Sequence, residues 1–262
     1  MPRERIDTLI VNRGLAPSRT RAQALVMAGR VLVNNQLVNK SSEEFDLQAA
    51  IRLKGGDDPA ARYVSRGGLK LEAALREFGI EVSGLSCLDV GASTGGFTDC
   101  LLQHGASHVV SIDVGHNQFD WRLRNDPRVD LREGVNARYL KPEDFPHKFD
   151  LAAIDVAFIS ATKILPAVVP LLAPRGRIVT LIKPQFEVGK GEVGKGGIVK
   201  DPAKHQRVVE EVNNAAQTLG LKVAGLIESP LQGADGNVEF LALYVQDEEL
   251  KTTKTQRPPG RD

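Results

Sequence analysis

Two cysteines stand in 262 residues, with one tryptophan and five histidines. Cys87 and Cys100 are too few for a disulfide scaffold, and their spacing matches no metal-binding motif. They read as small apolar core residues of a protein in a reducing compartment. His104, His108, His116, His147 and His205 are scattered, so no metal centre is expected. No apolar run approaches the ~18 residues of a membrane-spanning helix. No basic segment followed by a short apolar one opens the chain as a secretory signal would. A cytoplasmic protein without stable membrane association is expected. The formal net charge is +1, which by itself points to no partner. The 42% hydrophobic and 26% charged residues are those of a soluble globular chain, long enough for one large domain or two unequal ones.

The charge is unevenly distributed. Residues 1–40 hold seven basic residues (Arg3, Arg5, Arg13, Arg19, Arg21, Arg30, Lys40) against Glu4 and Asp7. Apolar spacing predicts helices over 6–16 and 20–29, separated by Pro17-Ser18, with Ser18 or Thr20 as a cap and Gly29 as the stop. Short strands follow at 31–33, 36–38 and 51–53, with Asn34-Asn35 as a hairpin turn. Gly55-Gly56-Asp57-Asp58-Pro59 reads as a linker. The segment Ser18-Arg19-Thr20-Arg21-Ala22, continuing to Gly29-Arg30-Val31-Leu32-Val33-Asn34 and preceded by Arg5-Ile6-Asp7, resembles the core of the S4 RNA-binding domain. That resemblance places Arg5, Arg19, Arg21 and Arg30 against an RNA backbone. An arginine can fork onto a phosphate there, giving affinity with little sequence specificity.

The most informative stretch is Cys87-Leu88-Asp89-Val90-Gly91-Ala92-Ser93-Thr94-Gly95-Gly96-Phe97. An apolar strand ends in a glycine-rich loop, a helical pattern follows, and a second apolar run closes on Asp113. This is the βαβ arrangement that binds nucleotide-like cofactors, the second acid taking ribose hydroxyls. The glycines do not fall in the Gly-x-Gly-x-x-Gly spacing of dinucleotide sites, and no Gly-Lys-Ser/Thr marks a phosphate loop. Asp89 disfavours a phosphate and suits a cationic ligand, so S-adenosylmethionine fits better than NAD or ATP.

Strands recur with helical spacers near 86–90, 108–113, 128–133, 149–155, 176–183, 221–227 and 238–245, the last two as an antiparallel hairpin edge. From Gln246 the tail is polar and reads as disordered. Asp155 and Lys183 end apolar strands, Glu239 opens the last one, and Lys70 lies on the helix before the first cofactor strand. A lysine directly after an apolar strand is unusual unless paired. Two lysines with two carboxylates make a self-neutralising set that can assist proton removal from a weak acid such as a ribose 2′-hydroxyl. No Ser-His-Asp set or nucleophilic cysteine accompanies them.

Residues 62–245 resemble the FtsJ-like ribose 2′-O-methyltransferases and their Lys-Asp-Lys-Glu tetrad. With the S4-like part in front, the chain resembles the TlyA family of ribosomal RNA methyltransferases, also labelled haemolysins. The segments that carry this are Ser65-Arg66-Gly67-Gly68-Leu69-Lys70, Asp89 to Phe97, Glu133 to Arg138, Asp155-Val156-Ala157-Phe158-Ile159-Ser160, Lys183-Pro184-Gln185-Phe186-Glu187, Gly196 to Val199, and Asn237-Val238-Glu239-Phe240. Two departures are Ala61-Arg62-Tyr63-Val64, where some members carry Arg-Ala-Trp-Val, and Ala157, where a small polar residue is common.

The resemblance implies an α/β fold. This is a Rossmann-like class I methyltransferase with a doubly wound, mostly parallel seven-stranded sheet, preceded by a small α+β S4 domain. Its implied limits are 1–58 for the S4-like domain, 59–64 for the linker, 65–246 for the methyltransferase and 247–262 for the tail. It further implies S-adenosylmethionine as cofactor and ribosomal RNA or a ribosomal subunit as partner. Lys70, Asp155, Lys183 and Glu239 would be catalytic. Asp89, Gly91, Ala92, Ser93, Gly95, Gly96, Phe97, Asp113, Asn136 and Asp155 would hold the cofactor, and Arg66 would meet an RNA phosphate. Three other readings stay open on sequence alone: a small-molecule methyltransferase on the same fold, a non-catalytic RNA-binding factor, and a pore-forming haemolysin.

Overall fold

The computed structural model describes residues 3–53, 62–189, 191–233 and 236–246. The chain divides into two compact units, Met1–Arg62 and Tyr63–Asp262. The expected linker around residues 55–59 and the expected disordered tail lie outside the described residues.

The first unit runs β1 (Arg3–Arg5), α1 (Ile6–Asn12), α2 (Arg19–Met27), β2 (Val31–Val33), β3 (Gln36–Leu37), β4 (Glu44–Asp46) and β5 (Ile51–Leu53). Strands β3, β2 and β5 form one antiparallel sheet, and β1 pairs with β4. Ile6, Ile10, Ala22, Val26, Val31 and Val33 make a single core between helices and sheet. Helix α1 is shorter than the apolar spacing predicts. Gly14 takes φ +70°, and the Leu15 and Gly14 amides donate to the carbonyls of Ile10 and Val11. That left-handed turn satisfies the last carbonyls and ends the helix. Ser18 caps α2, accepting from the Arg21 amide at 3.2 Å. Asn34 and Asn35 both take positive φ, as a two-residue hairpin turn requires.

The second unit continues with α3 (Gly67–Glu77), β6 (Ser86–Val90), α4 (Gly96–Gln103), β7 (His108–Asp113), α5 (Trp121–Arg124), β8 (Val129–Glu133), β9 (Phe149–Ile154), α6 (Leu165–Val168), β10 (Leu172–Ile182), α7 (Pro184–Glu187), α8 (Pro202–Thr218), β11 (Leu221–Glu228) and β12 (Phe240–Gln246). The sheet order is β11-β12-β10-β9-β6-β7-β8. Strands β10, β9, β6, β7 and β8 pair in parallel, while β12 runs antiparallel to both β10 and β11. The two last strands therefore do pair antiparallel, with β11 as the edge and β12 set inside it.

Side chains alternate across the sheet with period two. On β9, Leu151 and Ala153 join the core under α3 and α4, whereas Ala152 and Ile154 join the opposite core. Helix α8 covers that second face through Val209, Val212 and Ala216, spaced as one helical stripe. With both faces covered, the loops at the carboxyl ends of β6, β7, β9 and β10 are left to form a crevice, as in other open α/β sheets.

Candidate active site

The crevice is built on the turn after β6. Gly91 has φ +88°, and a Cβ there would lie 2.3 Å from the Asp155 carbonyl oxygen. The loops after β6 and β9 thus meet backbone to backbone, an approach only glycine permits. Ser93 donates its amide to Asp113 Oδ2 at 2.7 Å, and Gly115 donates to Asp113 Oδ1 at 2.6 Å. The carboxylate at the end of β7 therefore fixes two loops at once. Gly95, in the left-handed region at φ +97°, opens α4 against Phe119 and Leu123.

Two cavities flank this turn. The larger, about 540 Å³, is lined by Gly91, Ser93, Asp113, Asn136, Asp155 and Lys183 together with the segment from Val156 to Ile159. The smaller, about 250 Å³, is lined by Ser65, Arg66, Lys70, Ala92, Gly96 and Phe97, and shares Gly91, Ser93 and Asp155 with the first. The larger is of a size that encloses a nucleoside-like ligand. Asn136 caps the short turn over 137–139, accepting from the Arg138 amide at 3.1 Å.

Asp89 lies beneath the turn and forms no part of either cavity wall. It is fully buried, accepting a 2.6 Å hydrogen bond from the Thr98 hydroxyl, which also meets Ser111 Oγ at 2.7 Å. Its Oδ1 is buried without a hydrogen-bond partner among the described residues. Burial pushes this carboxyl up to about 7, with Asp155 and Asp113 acting the same way and the Thr98 hydrogen bond opposing them.

The two lysines and the two carboxylates form two separate ion pairs. Lys70 Nζ lies 2.5 Å from Glu239 Oε2, with the two side chains 12% and 2% exposed. Lys183 Nζ lies 2.5 Å from Asp155 Oδ1, with 14% and 20% exposure. This second approach is an ion pair off the hydrogen-bonding direction, since Asp155 Oδ1 has no directed partner among the described residues. At such burial these are not the loose pairs of a protein surface. Gly233, on the wall of the smaller cavity, makes room for Glu239: a Cβ there would lie 2.0 Å from its Oε1. Asp155 belongs to both cavities, Lys70 to the smaller and Lys183 to the larger, so each lysine shares a cavity wall with Asp155.

In the first unit, Asp7 is fully buried and accepts from Arg5 at 3.1 and 2.8 Å, Arg19 at 3.2 Å and Gln23 at 2.9 Å. The Arg5 hydrogen bonds hold its carboxyl far below the usual range. Arg5 and Arg19 remain 41% and 56% exposed, leaving their outer guanidinium edges to solvent. Arg21 is exposed on α2 and Arg30 is half-buried after it. Arg66 is exposed at the start of α3, on the wall of the smaller cavity.

Sequence reasoning assigns no role to Phe158, Ser160, Phe186 or Glu187. Phe158 takes φ +62° and packs on Phe186 at 5.0 Å between ring centroids. Glu187 accepts from Ser160 Oγ at 2.5 Å and from the Ala161 amide at 2.8 Å. The only signal is that all four sit in the two segments following Asp155 and Lys183.

Known proteins resemble this chain in sequence and fold. The FtsJ-like methyltransferase model matches residues 63–244 and the S4 domain model residues 4–51. The 16S/23S rRNA (cytidine-2′-O)-methyltransferase TlyA of Mycobacterium tuberculosis is 46% identical over 96% of this chain and 94% of its own. Hemolysin A of Brachyspira hyodysenteriae is 42% identical over 92% and 99%. A solved structure from Streptococcus thermophilus, provisionally named a hemolysin, is 45% identical and superposes with a TM-score of 0.73 over 95% of this chain and 90% of its own. With an S4 domain in front of an FtsJ-like methyltransferase domain, and near half its residues shared along almost its full length, the chain belongs to the TlyA family.

Proposed function

We propose that this protein is a cytoplasmic ribosomal RNA methyltransferase. It would transfer the methyl group of S-adenosylmethionine to the ribose 2′-hydroxyl of a cytidine. The observation that carries this reading is the two partly buried ion pairs, Lys70–Glu239 and Lys183–Asp155, whose lysines each share a cavity wall with Asp155. The 2′-O specificity named for the TlyA of M. tuberculosis supports it.

The residues present suit the cofactor. Each Asp113 oxygen accepts one backbone N–H and retains a lone pair for a ribose hydroxyl. Gly91 lines both cavities and lets the backbone approach the ligand, Gly95 opens α4 behind it, and Asn136 offers an amide to an adenine edge. Ala92, Ser93, Gly96 and Phe97 line the smaller cavity, which would receive the methionine end. Asp89 supports the turn from below through Thr98. When bound, S-adenosylmethionine supplies a methyl group on a positively charged sulfur.

Lys183 orients the target hydroxyl and, once its own ammonium proton has passed to solvent, takes the hydroxyl proton as the new O–C bond forms. Asp155 fixes the lysine and closes the cofactor side. Lys70, held by Glu239, balances the charge and draws the RNA backbone in. The target nucleotide leaves its stack to reach this depth. Alignment of oxygen and methyl group supplies much of the rate, as an entropy saving. Residues 65–246 would carry this chemistry. The S4-like residues 1–58 would hold the RNA through Arg5, Arg19, Arg21 and Arg30, with Arg66 on a phosphate near the target.

Labelled methyl transfer to unmodified ribosomal subunits, with cofactor binding followed by calorimetry, tests this. Lys183→Ala should bind cofactor as wild type does and lose methyl transfer by at least about 100-fold, the usual contribution of a proton-transfer group. Substantial residual activity would remove Lys183 from its role.

A further inference from the structure

Asp155 and Lys183 come from separate loops, after the neighbouring parallel strands β9 and β10. Something must hold those loops in register, since a 2.5 Å ion pair tolerates little sliding. The tip of the segment after Asp155 has one ring contact and is otherwise open to solvent. Phe158 is 91% exposed and adopts φ +62°, a region an aromatic residue occupies only under constraint. Its ring lies tilted at 50° against Phe186 of the other loop, and Lys183 Nζ lies 6.0 Å from the centroid of that same Phe186 ring.

Two residues on, the two loops are joined by a carboxylate. Glu187, the last residue of α7, accepts from Ser160 Oγ at 2.5 Å and from the Ala161 amide at 2.8 Å. Ser160 is itself fixed, meeting Thr162 Oγ1 at 2.7 Å and accepting from the Thr162 amide at 3.1 Å. Glu187 is half-buried, with Glu211 of α8 and Tyr244 of β12 nearby. Burial pushes its carboxyl up, and the bonds from Ser160 and Ala161 oppose that rise. A half-buried carboxylate needs hydrogen bonds to offset its desolvation, and Glu187 draws two of them from the neighbouring loop.

We propose that Glu187 is a positioning residue which, by gripping Ser160 and Ala161, locks the 155–162 loop to α7 and so keeps Asp155 on Lys183 and the Val156–Ile159 cavity wall in place. This rests on the methyl-transfer reading. The clamp touches neither substrate nor cofactor and acts through the loop alone. Gln can replace Glu, since a carboxamide accepts from the Ala161 amide and donates to Ser160 Oγ.

The test compares wild type with Glu187→Ala, Glu187→Gln, Ser160→Ala and the double alanine variant. Glu187→Ala should lower kcat about 100-fold, the scale of an ångström-sized misplacement, with KM for ribosomal RNA unchanged. Glu187→Gln should restore most of the activity. The double variant should be no slower than Glu187→Ala, because both changes release one clamp. Backbone amides of 156–162 should exchange hydrogen faster in Glu187→Ala and in Ser160→Ala. Should Glu187→Ala fold poorly, Ser160→Ala carries the same prediction on its own. Unchanged kcat, failure of Gln to rescue, multiplicative losses or unchanged exchange would each overturn the clamp. Wild-type protein that makes no methylated RNA would instead sink the methyl-transfer reading, and the exchange measurement would still judge the clamp.

Discussion

Asp89 shows how burial turns a motif residue into a titrating one. Read as a sequence, it ends a strand and invites a cation. In the fold it sits under the turn, bonded to Thr98 and raised to about 7. A carboxyl higher in the folded than in the unfolded chain binds more protons when folded. Its contribution to stability is therefore present at low pH and is lost as pH rises from about 4 to about 7, on the order of a few kcal/mol in all. Asp89→Asn stays neutral throughout and should flatten that decline. Thermal melts of the cofactor-free protein at pH 5 and pH 8 check it: the wild type should lose more melting temperature than the variant, and parallel losses would contradict the account. That Asp155 and Lys183 need partners was legible because both follow apolar strands, where an ionised group is costly alone. What could not be read was the pairing: Lys70 meets Glu239 across 169 positions of chain. Nor could the depth of Asp89 be read, since the same three letters Leu-Asp-Val serve a lining or a supporting acid.

Among the elements, the loop after β6 is the most tightly specified. Gly91→Ala would put a methyl group 2.3 Å from the Asp155 carbonyl oxygen and force a side chain into the left-handed region. It should abolish cofactor binding by calorimetry and lower stability by about 2 kcal/mol or more in denaturant titration. Near-normal binding would mean that the loops after β6 and β9 do not meet as described. The parallel strands β6, β7, β9 and β10 were legible because apolar runs buried on both faces stand out between helical spacers, while the edge strand β8 alternates Val129 and Leu131 with charged residues. The β1–β4 pair was not: Arg3–Arg5 is wholly charged, and Glu44–Asp46 holds Phe45 alone as its apolar residue, too short a run to show a period. Apolar spacing overextends helix α1 because Leu15 continues the pattern, although Gly14 has already turned the chain.

At the scale of the whole molecule, the chain joins a basic S4 unit to a methyltransferase unit whose own chemistry is neutral in balance. RNA affinity should then reside largely in the first. Arg19→Ala combined with Arg21→Ala should weaken RNA binding and make its salt dependence shallower, by roughly 0.7 log units per log unit of salt for each phosphate no longer neutralised. Cofactor affinity should not change. Filter binding across a salt series reads this, and an unaltered slope would remove both arginines from the RNA. The haemolysin name carried by a relative finds no spanning element here: no described helix is long and apolar enough to cross a membrane.

The central claim is the reaction itself, and mass spectrometry of nuclease digests from unmodified ribosomal subunits incubated with the protein and S-adenosylmethionine tests it most directly. The account predicts 2′-O-methylcytidine with the wild type and none with Lys183→Ala. A methyl group on a base, or on a ribose equally in both proteins, would contradict it.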